Sequence, residues 1–292
     1  MKITELFERG EFVVSAEVGP PKGFHVEHLL EEAKTYLSGI TAVNVTVNQS
    51  SVMRLGSLAM CKALKDEGLT PIYQLTCRDR NRIALQSDLL SAAMFGIENL
   101  LLLTGDHTKM GDHPQAKPVF DLDSVSLIHT VKQLESGVDL GGNPLIGEPP
   151  SFAKGAVVSP CSDSVDAQLA KMERKVRAGA DYFQTQAVFE PEKFIKFMEK
   201  AKQFGKPVQV GIIIPKSAGM AKFMNNNVAG IHVPDEMIEE LKKDKEKTKA
   251  GITGVEIAAR IIKECKPYCQ GVHIMALGWE SKVPDLLKLA EI

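Results

Sequence analysis

Phe12-Val13-Val14-Ser15-Ala16-Glu17-Val18-Gly19-Pro20-Pro21 is an apolar run that admits one carboxylate near its end and is then stopped by a glycine and two prolines. Such a run reads as a β-strand covered on both faces, with Glu17 at its C-terminal edge. Burying a carboxylate charge without a partner is expensive and favours the protonated form, so Glu17 is a candidate proton donor. The plainer alternative is an ion-paired glutamate that caps a loop.

The pattern recurs along the chain. Strand-like runs cover Phe12 to Val18, Ile40 to Val47, Pro71 to Thr76, Asn99 to Thr104, Gly155 to Ser159, Tyr182 to Gln186, Val208 to Ile214 and Gly271 to Leu277. Between them, segments such as Val26 to Leu37, Leu55 to Lys65, Arg82 to Phe95, Val165 to Ala178, Pro191 to Phe204 and Gly254 to Cys265 carry apolar residues at helical spacing. Eight strands alternating with helices, at a mean repeat of roughly 36 residues, predict a single (β/α)8 barrel over residues 1–292. An open doubly wound sheet is the rival, but no G-x-G-x-x-G follows the first strand and no P-loop pattern occurs. Gly137 to Pro150 reads as a long loop before the fifth strand, and the charge run Glu239 to Lys249 as a solvated helix face.

Composition excludes several classes of function. Lys and Arg number 35 against 37 Asp and Glu, a net charge of -2, so there is no basic field for nucleic acid or anionic lipid. No run approaches the ~18 apolar residues of a membrane span, and Met1 to Phe7 lacks the apolar core of a signal peptide, which together predict a cytoplasmic protein. Cys61, Cys77, Cys161, Cys265 and Cys269 are an odd set in apolar surroundings, against a disulfide framework. Cys265 and Cys269 alone are too few ligands for a closed metal site, and His25 with His28 reads as an exposed helix start.

In a barrel the chemistry gathers at the strands' C-terminal ends. There the sequence places Glu17, Thr46 with Asn48-Gln49, Gln74 and Thr76, Thr104-Gly105-Asp106, Ser159, Thr185-Gln186, Lys216 and Trp279-Glu280. Glu17 and Asp106 supply two carboxylates in different settings, one suited to stay ionised while the other acts as an acid. Gln74 and Gln186 offer both donors and acceptors, as the edge of a heterocycle requires. No serine sits in a G-x-S-x-G context, so acyl transfer has no support.

The stretches Ala16-Glu17-Val18-Gly19-Pro20-Pro21, Val45-Thr46, Gln74-Leu75-Thr76-Cys77, Leu103-Thr104-Gly105-Asp106, Lys171 to Asp181, Gln184-Thr185-Gln186 and Gly211 to Pro215 occur in an order and spacing that resembles the methylenetetrahydrofolate reductase family, in its short form. The resemblance implies a flavin barrel that reduces 5,10-methylenetetrahydrofolate to 5-methyltetrahydrofolate. By that likeness Glu17 matches the acid, Asp106 the carboxylate beside flavin and pterin, and Gln186 the pterin-contacting amide. Thr46, Gln74, Thr104 and Gly105 match the flavin-ring contacts, and Arg174 with Lys175 the basic residues at its phosphates. FAD is the implied cofactor with FMN as the shorter alternative, and NADH or a partner protein the electron donor. A partner subunit or homo-oligomer is implied as well. The chain departs from the family at Gln74, where relatives carry His, near Gly219-Met220, where they carry an aromatic lid, and at Trp279, where they carry Arg. Two other readings share these residue types: a pterin-binding methyltransferase barrel without flavin, and a non-catalytic subunit of a folate-pathway complex.

Overall fold

The apolar runs become eight parallel strands: β1 Val13–Val18, β2 Ala42–Val45, β3 Pro71–Thr76, β4 Asn99–Leu103, β5 Ala153–Val158, β6 Tyr182–Ala187, β7 Val208–Ile213 and β8 Gly271–Met275. In this computed structural model, which describes residues 1–228, 230–247 and 252–292, each strand pairs with the next and β8 returns to β1 to close the barrel. Every expected strand is present, with ends shifted by no more than two residues.

Eleven α-helices occur among the described residues: α1 Ile3–Glu8, α2 Glu27–Leu37, α3 Ser57–Asp66, α4 Arg82–Met94, α5 Ser124–Glu135, α6 Val165–Ala178, α7 Pro191–Ala201, α8 Ala218–Asn227, α9 Asp235–Lys247, α10 Ile252–Cys265 and α11 Val283–Ala290. Local chemistry sets their ends. The Asn81 side chain caps α4 by accepting from Ile83 N and Ala84 N, and Asp123 caps α5 by accepting from Ser126 N. Helix α5 goes beyond the helices expected from the pattern. Its buried face, Leu127, Ile128, Val131 and Leu134, is regular, but it is enclosed in a connection that also carries the Gly-rich loop. Helix α9 presents Glu239, Lys242 and Lys243 to solvent, while Thr248 and Lys249 lie outside the described residues.

Helix α1 plugs the N-terminal end of the barrel. Its Ile3 and Leu6 are buried against Val13, Ala42, Ile72, Leu101, Ala153 and Tyr182, and Asn99 holds the entering chain by accepting from Ile3 N and donating to Met1 O. Gly155 makes room for the Tyr182 ring, since a Cβ there would lie 2.5 Å from the tyrosine oxygen. With this end filled, the other is the open one. No helix among the described residues is long and apolar enough to cross a membrane.

Candidate active site

The open end holds a cavity of about 410 Å³. Glu17, Thr46, Gln74, Thr104, Gly105, Asp106, Lys175 and Gln186 all line it, together with Thr76, Arg78, Ser159, Lys171, Thr185 and His273. Glu17 and Asp106 thus share one mouth. Arg174 does not line it: the residue lies exposed on α6, within electrostatic range of Asp123, and Lys171 one turn earlier takes the cavity side. Ser217, Trp279 and Glu280 stay outside the lining. At that rim Lys216 donates to Leu277 O at 2.5 Å and stands 5.2 Å from the centre of the Trp279 ring, while Phe223 on α8 is 61% exposed.

Glu17 is held on one side only. Its Oε1 accepts from Gln74 Nε2 at 3.3 Å and lies 3.4 Å from His273 Nε2. Oε2 has no partner in the protein and is not sealed from solvent. Below it a wholly polar layer crosses the barrel, made of Ser15, Asn44, Gln184, Gln209 and His273, all buried and joined by hydrogen bonds. Side chains at barrel interiors are more often branched and apolar. Strand alternation puts Ser15 on the same face as Glu17, two residues earlier, where it pairs with His273 on β8. A histidine amid the apolar residues of β8 was the available signal, and its isolation in the sequence hid it.

Gln186 reaches the cavity through a break in regularity. The β6–β7 register shifts between Gln184 and Ala187, a bulge of the kind that re-aims a side chain. The Thr185 hydroxyl repairs the ladder there, donating to Gln186 O and accepting from Gly211 N. Gly211 is required at the crossing, since a Cβ would stand 2.2 Å from Thr185 O.

Two observations bear on what the cavity can hold. Thr46 Oγ1 and Thr76 Oγ1, on residues that line it, are buried and have no hydrogen-bond partner. Such groups are costly unless a ligand completes them. At the α6 side Lys171 and Lys175 bring two ammonium groups together. Burial, with the neighbouring Lys171 charge, pulls the Lys175 amine down to about 8, and its Nζ donates to Val157 O at 2.6 Å. A phosphate there would relieve both effects. The residues present therefore fit a ring with hydrogen-bonding edges and a phosphorylated tail, which is the outline of a flavin. The loop from Asn48 to Ser51 that borders the ring space holds three non-glycine residues at positive φ, the strained backbone that clusters at binding sites. Arg78 pins that loop by donating to Ser51 Oγ and Asn48 O.

The five cysteines are free and buried, and burial pushes the Cys269 thiol up to about 11. No group of three metal-ligating side chains occurs among the described residues.

A closed parallel barrel with an acid, unpartnered hydroxyls and paired lysines at its mouth defines a small-molecule enzyme scaffold of the (β/α)8 class. Within that class the chain belongs to the methylenetetrahydrofolate reductase family, whose profile matches residues 2–291. It is 27% identical to methylenetetrahydrofolate reductase 2 of Schizosaccharomyces pombe, covering 99% of this chain but 47% of that protein. It is also 27% identical to 5,10-methylenetetrahydrofolate reductase of Salmonella typhimurium, over 87% of this chain and 82% of the relative. The chain thus spans about half of the yeast relative and most of the bacterial one. Among solved structures it superposes with a TM-score of 0.69 on a Clostridium thermocellum protein that binds two copies of 5-methyl-5,6,7,8-tetrahydrofolic acid, at 14% identity, over 99% of this chain and 98% of that one. At that identity the likeness speaks for the fold.

Proposed function

We propose that this protein reduces 5,10-methylenetetrahydrofolate to 5-methyltetrahydrofolate in the cytoplasm with a bound flavin. The observation that carries the reading is Glu17, fixed on one oxygen and free on the other at the floor of a cavity whose buried threonine hydroxyls await a ligand. When bound, the flavin supplies the hydride. Thr46, Thr76 and Gln74 meet the ring edges, Thr104 and Gly105 let the backbone approach closely, and Lys171 with Lys175 hold the phosphorylated tail, in FAD or in the shorter FMN.

The protein's own residues then do three things. Gln186 grips the pterin by an amide that both donates and accepts. Glu17 delivers a proton from Oε2 to a ring nitrogen of the substrate, which opens the five-membered ring to a cation at N5. Asp106, at the rim, favours that cation electrostatically. Electrons reach the site from NADH or from a partner protein docked at the mouth; stopped-flow bleaching of the isolated chain by micromolar NADH separates the two donors.

Glu17→Gln tests the assignment. The amide keeps size and hydrogen bonding but has no acidic proton, so folate turnover should fall by ~10²-fold or more while flavin reduction by an artificial donor survives. Equal loss in both half-reactions would overturn the acid role. Colourless purified protein, with no flavin released on denaturation, would instead favour a methyltransferase.

A further inference from the structure

We infer that the buried amide pair Gln184 and Gln209 fixes the tautomer of His273, and through it decides which oxygen of Glu17 carries the proton. Two backbone carbonyls, which can only accept, anchor the network. Gln209 Nε2 lies 3.3 Å from Val13 O and 3.2 Å from Val272 O, so the NH₂ end of this amide is set by two backbone carbonyls. Its Oε1 therefore faces Gln184 and accepts from Gln184 Nε2 at 3.1 Å. That orients the second amide in turn, and Asn44 confirms the direction by donating from Nδ2 to Gln184 Oε1 at 2.9 Å.

Both amide nitrogens point at one hydroxyl. Ser15 Oγ lies 3.1 Å from Gln209 Nε2 and 3.3 Å from Gln184 Nε2, each an NH₂ group that shares two protons among three acceptors. Amide nitrogens have no lone pair to give, so neither can take the Ser15 proton. The remaining partner of that hydroxyl is His273 Nδ1, at 3.1 Å. Ser15 therefore donates to Nδ1, the ring proton resides on Nε2, and Nε2 stands 3.4 Å from Glu17 Oε1. Oε1 is then hydrogen-bonded by the Gln74 amide and has the positive Nε2–H edge of His273 beside it.

The consequence depends on the proposed reaction; the tautomer does not. An oxygen facing two donors is a poor place for a proton, so the acidic hydrogen of Glu17 occupies Oε2, the oxygen open to the cavity. In the opposite tautomer Nε2 would be an acceptor. The proton of Glu17 would then lie on Oε1, between glutamate and histidine, facing away from a substrate. Gln209 lies outside the cavity lining, while Gln184 borders its floor. They are positioning residues, acting through Ser15 and His273.

Nitrogen-15 NMR of the full chain labelled at histidine reads the tautomer without substrate or flavin, with His273 assigned by the signals lost in His273→Gln. The expected spectrum at neutral pH has a protonated Nε2 and an unprotonated Nδ1. A protonated Nδ1, as the other tautomer or as imidazolium, would overturn the inference, and this measurement needs only the wild-type fold. Gln209→Met, alone and with Gln184→Met, tests the cause. These variants free the lone pairs of Ser15 and the carbonyls of Val13 and Val272, so the hydroxyl can turn and the Nδ1–H form should become populated. Methionine variants whose His273 signals match wild type would show that the amides do not set the tautomer. With folate, the same variants should lose kcat by about tenfold at unchanged KM, since one pK-scale unit of proton placement corresponds to tenfold. If the reaction assignment itself were wrong, the tautomer result would stand and only the kinetic split would fail.

Discussion

The two ends of this barrel are built from similar polar residues and use them in opposite ways. At the N-terminal end Lys154 is buried, yet its Nζ meets Glu135 and Asp181 at 2.9 Å each and donates to Phe152 O. Burial works against that ammonium, but the hydrogen bonds it donates to the two carboxylates outweigh it and its amine is raised. Tyr182 finds Leu100 O, and Asn99 finds the first residues of the chain. At the C-terminal end Thr46 Oγ1 and Thr76 Oγ1 are buried with nothing to bond, and Glu17 keeps one oxygen free. The lesson is that polar burial alone does not identify a site. Unpartnered polar atoms on residues that line one cavity do, whereas Tyr73 Oη and Asp88 Oδ2, equally without a hydrogen-bond partner, belong to residues away from it.

If that contrast holds, damage at the closed end should cost stability and damage at the mouth should cost function. The largest effect is expected from Lys154→Met, which leaves Glu135 and Asp181 facing each other in a buried site. Removing one partner of a buried ion pair typically costs about 3–5 kcal/mol. Thermal unfolding should show a large loss of Tm, and the protein that remains folded should retain flavin and its half-reactions; lost flavin at full stability would break the comparison. Next comes Gly211→Ala, at the border of the two regimes. Its Cβ would press on Thr185 O at 2.2 Å, so the strands must part, at a cost of about 1–3 kcal/mol. Because the bulge aims Gln186, KM for the folate should rise while flavin reduction is spared.

The closed end and the barrel walls were legible in the sequence because they follow averages: near-continuous apolar runs, helical spacing, and stops at Gly and Pro. Glu17 was legible for the complementary reason, as a charge that violates such a run. Its supports were not. Ser15 and Gln209 look like tolerated polar residues until the register sets Ser15 against His273 and brings Gln209 to Ser15, and register is a property of pairing between strands distant in sequence. Arg174 shows the limit from the other side, since adjacency to Lys175 in a motif says nothing of which helix face meets the cavity. The helical phase gives that place to Lys171. Helix α11 begins with Pro284 in its first turn, a position proline tolerates at a helix start but which interrupts a sequence pattern.

Lys175 gives the comparison a pH axis. Its folded value of about 8 lies below the ordinary lysine value of 10.5, because burial penalises the charged form. Between these values the unfolded chain binds a proton that the ligand-free fold does not, so this residue's contribution to stability rises with pH across that window. A phosphate-bearing ligand reverses the preference and draws a proton onto the amine. Flavin binding should therefore take up protons near pH 8 and weaken as pH rises above it, by at most about tenfold per unit, ~1.4 kcal/mol. Lys175→Met should flatten both dependences in calorimetry. A wild-type affinity constant from pH 7 to 9.5 would remove Lys175 from the phosphate site.

The smallest expected effect is the one with the most telling sign. Thr46→Val exchanges a hydroxyl for a methyl of the same shape at a position that is 3% exposed and has no partner for its oxygen. In a site built only for stability, losing a hydroxyl from a hydrogen-bonded position would lower Tm. Here the hydroxyl is unsatisfied in the ligand-free protein, where such a group costs about 1–3 kcal/mol, so its removal should raise the Tm of that form by about 2 °C or more. With ligand bound the order should invert, because the wild type gains a hydrogen bond that valine cannot make, worth about 0.5–1.5 kcal/mol. Flavin affinity should then fall a few-fold, and the double variant with Thr76→Val should enlarge both effects. A variant less stable than wild type in the absence of ligand would mean that Thr46 serves the fold, and the division of labour between the two ends would fail at its most specific point.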